Sequence, residues 1–227
     1  MTEFVSVQIH GEIALVSINR PPANAMDLEL LGELEGNLDF VEKPAGLIIT
    51  GVGACFCAGL DLKVVPKYAA AQQRQLVASL NRLFTRIYDL PFPTVAAVNG
   101  HALAGGFFLA LACDVRVGVK KDYQLGLPEV RVGVPYPEAA MRLAQAELSP
   151  ATARQLVLSG DPISPDEAVA LGVLDQLVEE DALVTVALEQ ARSRALLAAE
   201  IYARTKQQLR EPALCDMRRI VEHSEIP

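Results

Sequence analysis

The chain has 227 residues, 51% of them hydrophobic, with 28 acidic against 20 basic side chains for a net charge of −8. That length and apolar content can fill the core of one ordinary domain and exclude a disordered chain. The negative charge argues against broad binding to nucleic acid or an anionic membrane, whose phosphates it would repel.

In chain order, Val5, Val7 and Ile9 alternate with polar neighbours, His10-Gly11 punctuates, and Ile13 to Ile18 is apolar again, which predicts an opening β-hairpin. A helix follows from about Asp27, then a buried strand over Gly46 to Thr50. Leu76, Leu80, Leu83, Phe84 and Ile87 fall on one face of a long helix that Pro91 and Pro93 end. Thr94–Val98 and Val115–Val119 are further apolar strands around a helix that starts near Ala104, so strand and helix units recur with connections suited to parallel pairing. Leu125 to Gly133 is an apolar, strand-like run. Beyond it the pattern turns helical: Glu138–Leu148, then a helix opened by Ser149-Pro150 and reaching Leu158. Ser164-Pro165-Asp166-Glu167 is a capping-box start. Val173 to Val178 predicts a short strand, and nearly everything from Asp181 to Val221 is helix-forming. Residues 1–180 thus form an α/β core and 181–227 a helical segment.

Cys55, Cys57, Cys113 and Cys215 show no zinc-type spacing and the histidines are only His10, His101 and His223, so no metal site is expected. The first ten residues lack the basic start and apolar core of a secretory signal, and the apolar stretch Ala102–Cys113 is too short to span a bilayer. A cytoplasmic protein with reduced thiols is the expectation.

Two stretches of small residues carry the functional signal. Ala54-Cys55-Phe56-Cys57-Ala58-Gly59-Leu60-Asp61-Leu62 and Asn99-Gly100-His101-Ala102-Leu103-Ala104-Gly105-Gly106 each follow a buried strand and precede a helix. Backbone N–H groups at such junctions are free, and Ala58 and Gly105 leave room for a ligand oxygen to reach theirs. Two convergent amides of this kind make an oxyanion hole.

The pair resembles the enoyl-CoA hydratase/isomerase, or crotonase, family. The likeness extends from Ile18-Asn19-Arg20-Pro21 and Asn24-Ala25-Met26 to Leu158-Ser159-Gly160 and Ala168–Val173, which is most of the chain. It implies a crotonase (ClpP-like) spiral of β-β-α turns followed by a C-terminal helical region. It also implies an acyl-CoA substrate, CoA entering only as part of that substrate with no further cofactor, and a homotrimer or hexamer. The chain stops sooner than most members, so a terminal helix that in relatives often covers the acyl-CoA site or a neighbouring subunit is expected to be shortened or absent.

Enolate chemistry on a thioester needs charge stabilisation at the carbonyl oxygen and a base near the acidic C–H. The amides of Ala58 and Gly105 are the candidates for the first. For the second, Glu129 in its apolar run is the best candidate, because burial makes a carboxylate a stronger base. The alternative for Glu129 is a salt bridge to Arg131 or Arg116. By resemblance, Glu129 falls on the glutamate shared by hydratases and isomerases, whereas the second hydratase glutamate is replaced by Phe108. One glutamate suffices to move a proton from C2 to C4, so a Δ3,Δ2-enoyl-CoA isomerase is favoured. A hydratase, an acyl-CoA hydrolase, a carboxymethylproline-type synthase and a non-catalytic acyl-CoA-binding protein are the rivals. Glu138 is a rival acid whose simpler reading is a first-turn helix charge.

Arg20 and Lys63 are candidate phosphate partners of CoA. Asp61 ends the Ala-Gly-x-Asp turn and shapes its loop, with Ala25, Cys57, Gly59 and Leu60 as further substrate contacts. Phe108 and Tyr136 are candidates for the acyl pocket. Cys57 reads as a small buried side chain, since no histidine stands at a recognisable motif position to make it a nucleophile.

Overall fold

The computed structural model describes residues 3–40 and 44–224. β1 (Val5–His10) and β2 (Ile13–Ile18) form the antiparallel hairpin, in register from Val5 opposite Ile18 to His10 opposite Ile13. Asp27 caps α1 (Leu28–Phe40) by accepting the Leu30 N–H at 3.0 Å. Three β-β-α turns follow: β3 (Gly46–Gly51), β4 (Cys55–Cys57) and α2 (Ala70–Asp89); β5 (Thr94–Val98), β6 (His101–Leu103) and α3 (Gly105–Leu111); β7 (Val115–Val119), β8 (Leu125–Gly126) and α4 (Glu129–Val132).

The first strand of each turn enters one sheet and the second strand enters another. β3, β5 and β7 are buried throughout, as parallel strands covered on both faces must be. They join the hairpin and β9 (Gln176–Val178) in a six-stranded sheet of order β1-β2-β3-β5-β7-β9, parallel after the hairpin. β4, β6 and β8 make a small parallel sheet, which stacks the three turns into the expected crotonase-type spiral. Its consequence is positional: the ends of β4, β6 and β8 lie side by side, and each leads directly into a segment singled out in the sequence.

α5 (Glu138–Glu147), α6 (Pro150–Ser159) and α7 (Pro165–Ala170) follow, the last two with the serine caps expected at Ser149 and Ser164. α8 (Leu183–Ala195) packs on β3, β5 and β7, and its Leu183, Ala187, Leu188 and Ala191 belong to the same core as the sheet. α9 (Ala199–Ser224) lies across α2 and α5.

Two expectations are corrected here. The strand-like run 125–133 is a two-residue strand followed by a short helix, because Pro128 takes the N-cap position and Gly133 closes the turn in the left-handed conformation. The strand expected over 173–178 narrows to β9, since the Val173 and Leu174 amides bond to the Ala168 carbonyl at the end of α7.

A largely buried polar cluster fixes α9. Asp114 accepts from the Thr94 N–H at 2.8 Å, Tyr202 at 3.0 Å and Lys206 at 2.9 Å, and pairs with Arg210 at 2.9 Å. Arg210 also donates to the Tyr88 carbonyl and stacks 3.9 Å over the Tyr88 ring, whose hydroxyl donates to Glu147 at 2.7 Å. Every charge there meets a partner, as buried charges require.

Candidate active site

The two small-residue stretches meet where β4 and β6 pair, with Cys55 opposite His101. Contact is closest at their glycines. A Cβ added to Gly106 would lie 2.0 Å from the Cys57 carbonyl oxygen. Gly59 has φ +80°, and a Cβ there would lie 2.6 Å from the Ala104 Cβ and 3.1 Å from the Gly105 nitrogen. Ala104 itself sits at φ 49°, ψ −121°, a conformation that costs a residue with a Cβ about 1–3 kcal/mol.

The amides correct one expectation. The Ala58 N–H already donates to the Ala23 carbonyl at 3.1 Å, so it is not free for a ligand. Two residues on, the flanking groups are occupied: Met26 N–H donates to Gly59 O at 2.6 Å, and Asp61 N–H to Met26 O at 2.8 Å. Between them the Leu60 N–H has no acceptor among the described residues, and neither does the N–H of Gly105, the first residue of α3. A regular strand would aim the amides of residues 58 and 60 alike, and the left-handed Gly59 between them ends that equivalence. No residue-type signal distinguishes the two, which is why the sequence pointed to Ala58.

A second correction concerns Arg20. Its guanidinium donates to Asp27 at 2.6 Å, Asp61 at 3.0 Å and the Ala25 carbonyl at 2.8 Å, and lies over the Phe4 ring. It is committed to holding the loop and is not presented to a phosphate. Ala25 contributes its carbonyl to this clamp. Burial alone would raise the Asp61 carboxyl, but hydrogen bonds from Arg20 and the Lys63 N–H, with the Arg20 charge, hold it below its ordinary value. Asn24 completes the clamp at φ 52°, accepting from Arg20 N–H and donating to the Cys55 carbonyl at 2.7 Å. Lys63, by contrast, is exposed, and its ammonium has no partner among the described residues.

Cys57 is fully buried and its thiol is pushed up to about 12, chiefly by burial, which leaves it protonated. With no exposed surface it offers a substrate no contact, which corrects that expectation, while its reading as a small buried side chain stands.

The third segment supplies an acid. Ala104 N–H donates to Gly126 O at 2.9 Å, which ties the start of α3 to the end of β8, three residues before Glu129. Phe108 projects from α3 in full burial, 6.0 Å from the Phe84 ring and edge-on to Tyr136 at 6.1 Å. Tyr136 donates its hydroxyl to the Leu127 carbonyl at 3.0 Å, with the Val157 carbonyl at 3.2 Å.

Glu129 is 5% exposed, and its Oε2 is enclosed with no hydrogen-bond partner. The salt-bridge alternative fails, because Arg131 turns to Asp161 and Arg116 to Glu147 and Asp175. Burial therefore dominates and raises the Glu129 carboxyl to about 7, against smaller opposing pulls from its own N–H and the Tyr136 hydroxyl. An acid poised near neutrality can both take and return a proton. Glu138, the rival, is an exposed first-turn residue of α5.

Comparison with known proteins accords with this geometry. The family model for enoyl-CoA hydratase/isomerase matches residues 8–222. A probable enoyl-CoA hydratase of Bacillus subtilis is 36% identical over 200 residues, covering 86% of this chain and 76% of its own length. The short-chain-enoyl-CoA hydratase of Clostridium acetobutylicum is 31% identical over 219 residues, covering 94% of this chain and 83% of its own. Two solved structures of one Mycobacterium tuberculosis protein superpose with a TM-score of 0.91 at 28% identity. One covers 96% of this chain and 93% of its own and is described as a probable enoyl-CoA hydratase; the other covers 99% and 98% and is described as an enoyl-CoA isomerase. The chain belongs to the enoyl-CoA hydratase/isomerase family.

Proposed function

We propose that this acyl-CoA enzyme shifts a double bond, converting 3-enoyl-CoA to 2-enoyl-CoA. The observation that carries the reading is the solitary Glu129 carboxyl, buried and unpaired, with Phe108 in place of a second acid on α3. Glu129 removes a proton from C2 of the 3-enoyl thioester. The electron pair spreads over a dienolate whose oxygen is held by the free N–H groups of Leu60 and Gly105, and Glu129 returns the proton at C4. Each such donor is worth about 3 kcal/mol to an oxyanion. With the fully buried Phe108 where a second acid would stand, no second carboxylate on α3 is at hand to activate water, which favours return of the proton over addition of water. Lys63 is proposed as the contact for a CoA phosphate in place of Arg20.

The second reading, hydration of 2-enoyl-CoA, is supported by the names of several relatives. Purified protein incubated with 3-enoyl-CoA and, separately, with 2-enoyl-CoA distinguishes the two by thioester absorbance and product mass. Conversion of the 3-enoyl substrate at unchanged mass supports isomerisation. A gain of one water from the 2-enoyl substrate, with the 3-enoyl substrate inert, overturns it in favour of hydration.

A further inference from the structure

Val130, Arg131 and Val132 of α4 are exposed, so Glu129 is the one buried residue of this four-residue helix, and its enclosed Oε2 has no partner among the described residues. Apolar burial would anchor such a helix, but the group buried here is an acid that gains by reaching water. Pro128 at the N-cap adds no side-chain cap. What keeps α4 turned inward lies on its outer side. Arg131 Nε donates to the Ser159 carbonyl at 2.8 Å, and a terminal nitrogen of the same guanidinium pairs with Asp161. Between those two partners Gly160 takes φ +66°, and a Cβ there would lie 2.8 Å from Arg131 Cγ and 3.0 Å from Val130 Cγ2. The turn that ends α6 is therefore packed against α4 and held by its arginine. That turn is itself fixed to β8: Leu125 and Ile163 exchange N–H···O bonds of 3.0 and 2.8 Å, and a Cβ on Gly126 would lie 3.0 Å from Pro162 Cα.

We infer that Arg131 is a positioning residue for Glu129, clasping α4 to the Ser159–Asp161 turn so that the carboxyl stays enclosed and aimed at the reacting carbons. The inference rests on the reading of Glu129 as the base. An exposed ion pair of this kind adds little to global stability, and its effect here is local, on where one turn of helix sits. Proton transfer is sensitive to that placement, since a displacement of about 1 Å is enough to slow it severely.

The sign of the expected effect separates this role from a simple charge effect. Removing a nearby cation raises a carboxyl's midpoint, whereas loosening α4 admits water to Glu129 and lowers it. Burial is the largest cause of the raised Glu129 carboxyl, and no charged side chain contributes. The ionisable groups on the surrounding elements are engaged or turned outward. α3 carries none between Gly105 and Leu111; Arg154 on α6 and Glu138 on α5 are exposed; Arg142 pairs with Asp216; and the Tyr136 hydroxyl goes to the Leu127 and Val157 carbonyls.

The test is a direct titration of Glu129 in the substrate-free protein, by carbon NMR of glutamate-labelled chains, with the resonance assigned by its loss in Glu129→Gln. Arg131→Met keeps an apolar stem over Gly160 and removes both polar contacts. In it the Glu129 midpoint is expected to fall by about half to one pH unit, and kcat for 3-enoyl-CoA by about three- to tenfold with KM little changed. Arg131→Lys, which keeps the charge but not the two-pronged grip, is expected to show smaller falls in the same directions, and it decides the matter if Arg131→Met does not fold. A midpoint that stays in place or rises overturns the inference, whatever happens to the melting temperature. Full activity of Glu129→Gln would instead remove the catalytic reading, while the titration would still report whether Arg131 keeps the carboxyl enclosed.

Discussion

Asp114 is a largely buried acid and Glu129 a buried one, and they are treated in opposite ways. Asp114 receives Thr94 N–H, Tyr202, Lys206 and Arg210, and its charge helps bind α9 to the rest of the molecule. Glu129 receives no cation, and one of its oxygens has no partner at all. Burial of a satisfied carboxylate is a structural device; burial of an unsatisfied one raises its proton affinity and costs folding energy, a combination that suits a site of proton transfer. On the proposed reading, the contrast gives architecture to the first acid and chemistry to the second.

Substitutions can break the comparison from either side. Glu129→Gln is expected to lower kcat for double-bond migration by about 10²–10⁴-fold while leaving the fold intact, measured by steady-state kinetics and circular dichroism. Asp114→Ala is expected to do the reverse, destabilising the protein by about 3–5 kcal/mol in denaturant unfolding, because Lys206 and Arg210 would remain buried without their counter-charge.

The pH dependence of stability sharpens it further. Folded Glu129 holds its proton up to about 7, against an ordinary 4.5. Between those values the native state binds more protons than the unfolded state, so this group makes stability fall as pH rises from about 4.5 to about 7. Glu129→Gln therefore gains over the parent above pH 7, by at most about 3 kcal/mol, and loses the advantage below the ordinary carboxylate range. Melting temperatures across that window test the sign. The smallest effect is expected just before α3: Ala104→Gly relieves the φ 49°, ψ −121° backbone and stabilises by up to about 1 kcal/mol after the entropy cost of glycine.

How far the sequence reaches can be judged residue by residue. β3, β5 and β7 were legible because strands buried on both faces are uninterrupted apolar runs. β4, β6 and β8, only two or three residues each, have no periodicity to read, and the β-β-α arrangement came from the family resemblance. Glu129 was legible as an acid in apolar surroundings. Arg20 was misread because its partner Asp61 lies 41 residues away, and a cation looks free in sequence until the fold brings its counter-charge to it. The Ala58 amide looks free in sequence, because which amide stays unbonded depends on the left-handed turn at Gly59 and on the Ala23 carbonyl. The sequence conveys composition and spacing well; it conveys poorly which hydrogen-bonding groups are already spent.

The most direct test of the central claim is the rate of 3-enoyl-CoA to 2-enoyl-CoA conversion by the parent and Glu129→Gln across pH 5–9. For the parent, kcat/KM should rise with pH and level off beyond a midpoint of about 7, as the Glu129 carboxyl ionises, and the variant should lack that activity throughout. A variant that isomerises at the parent's rate, with the same pH profile, would contradict the account.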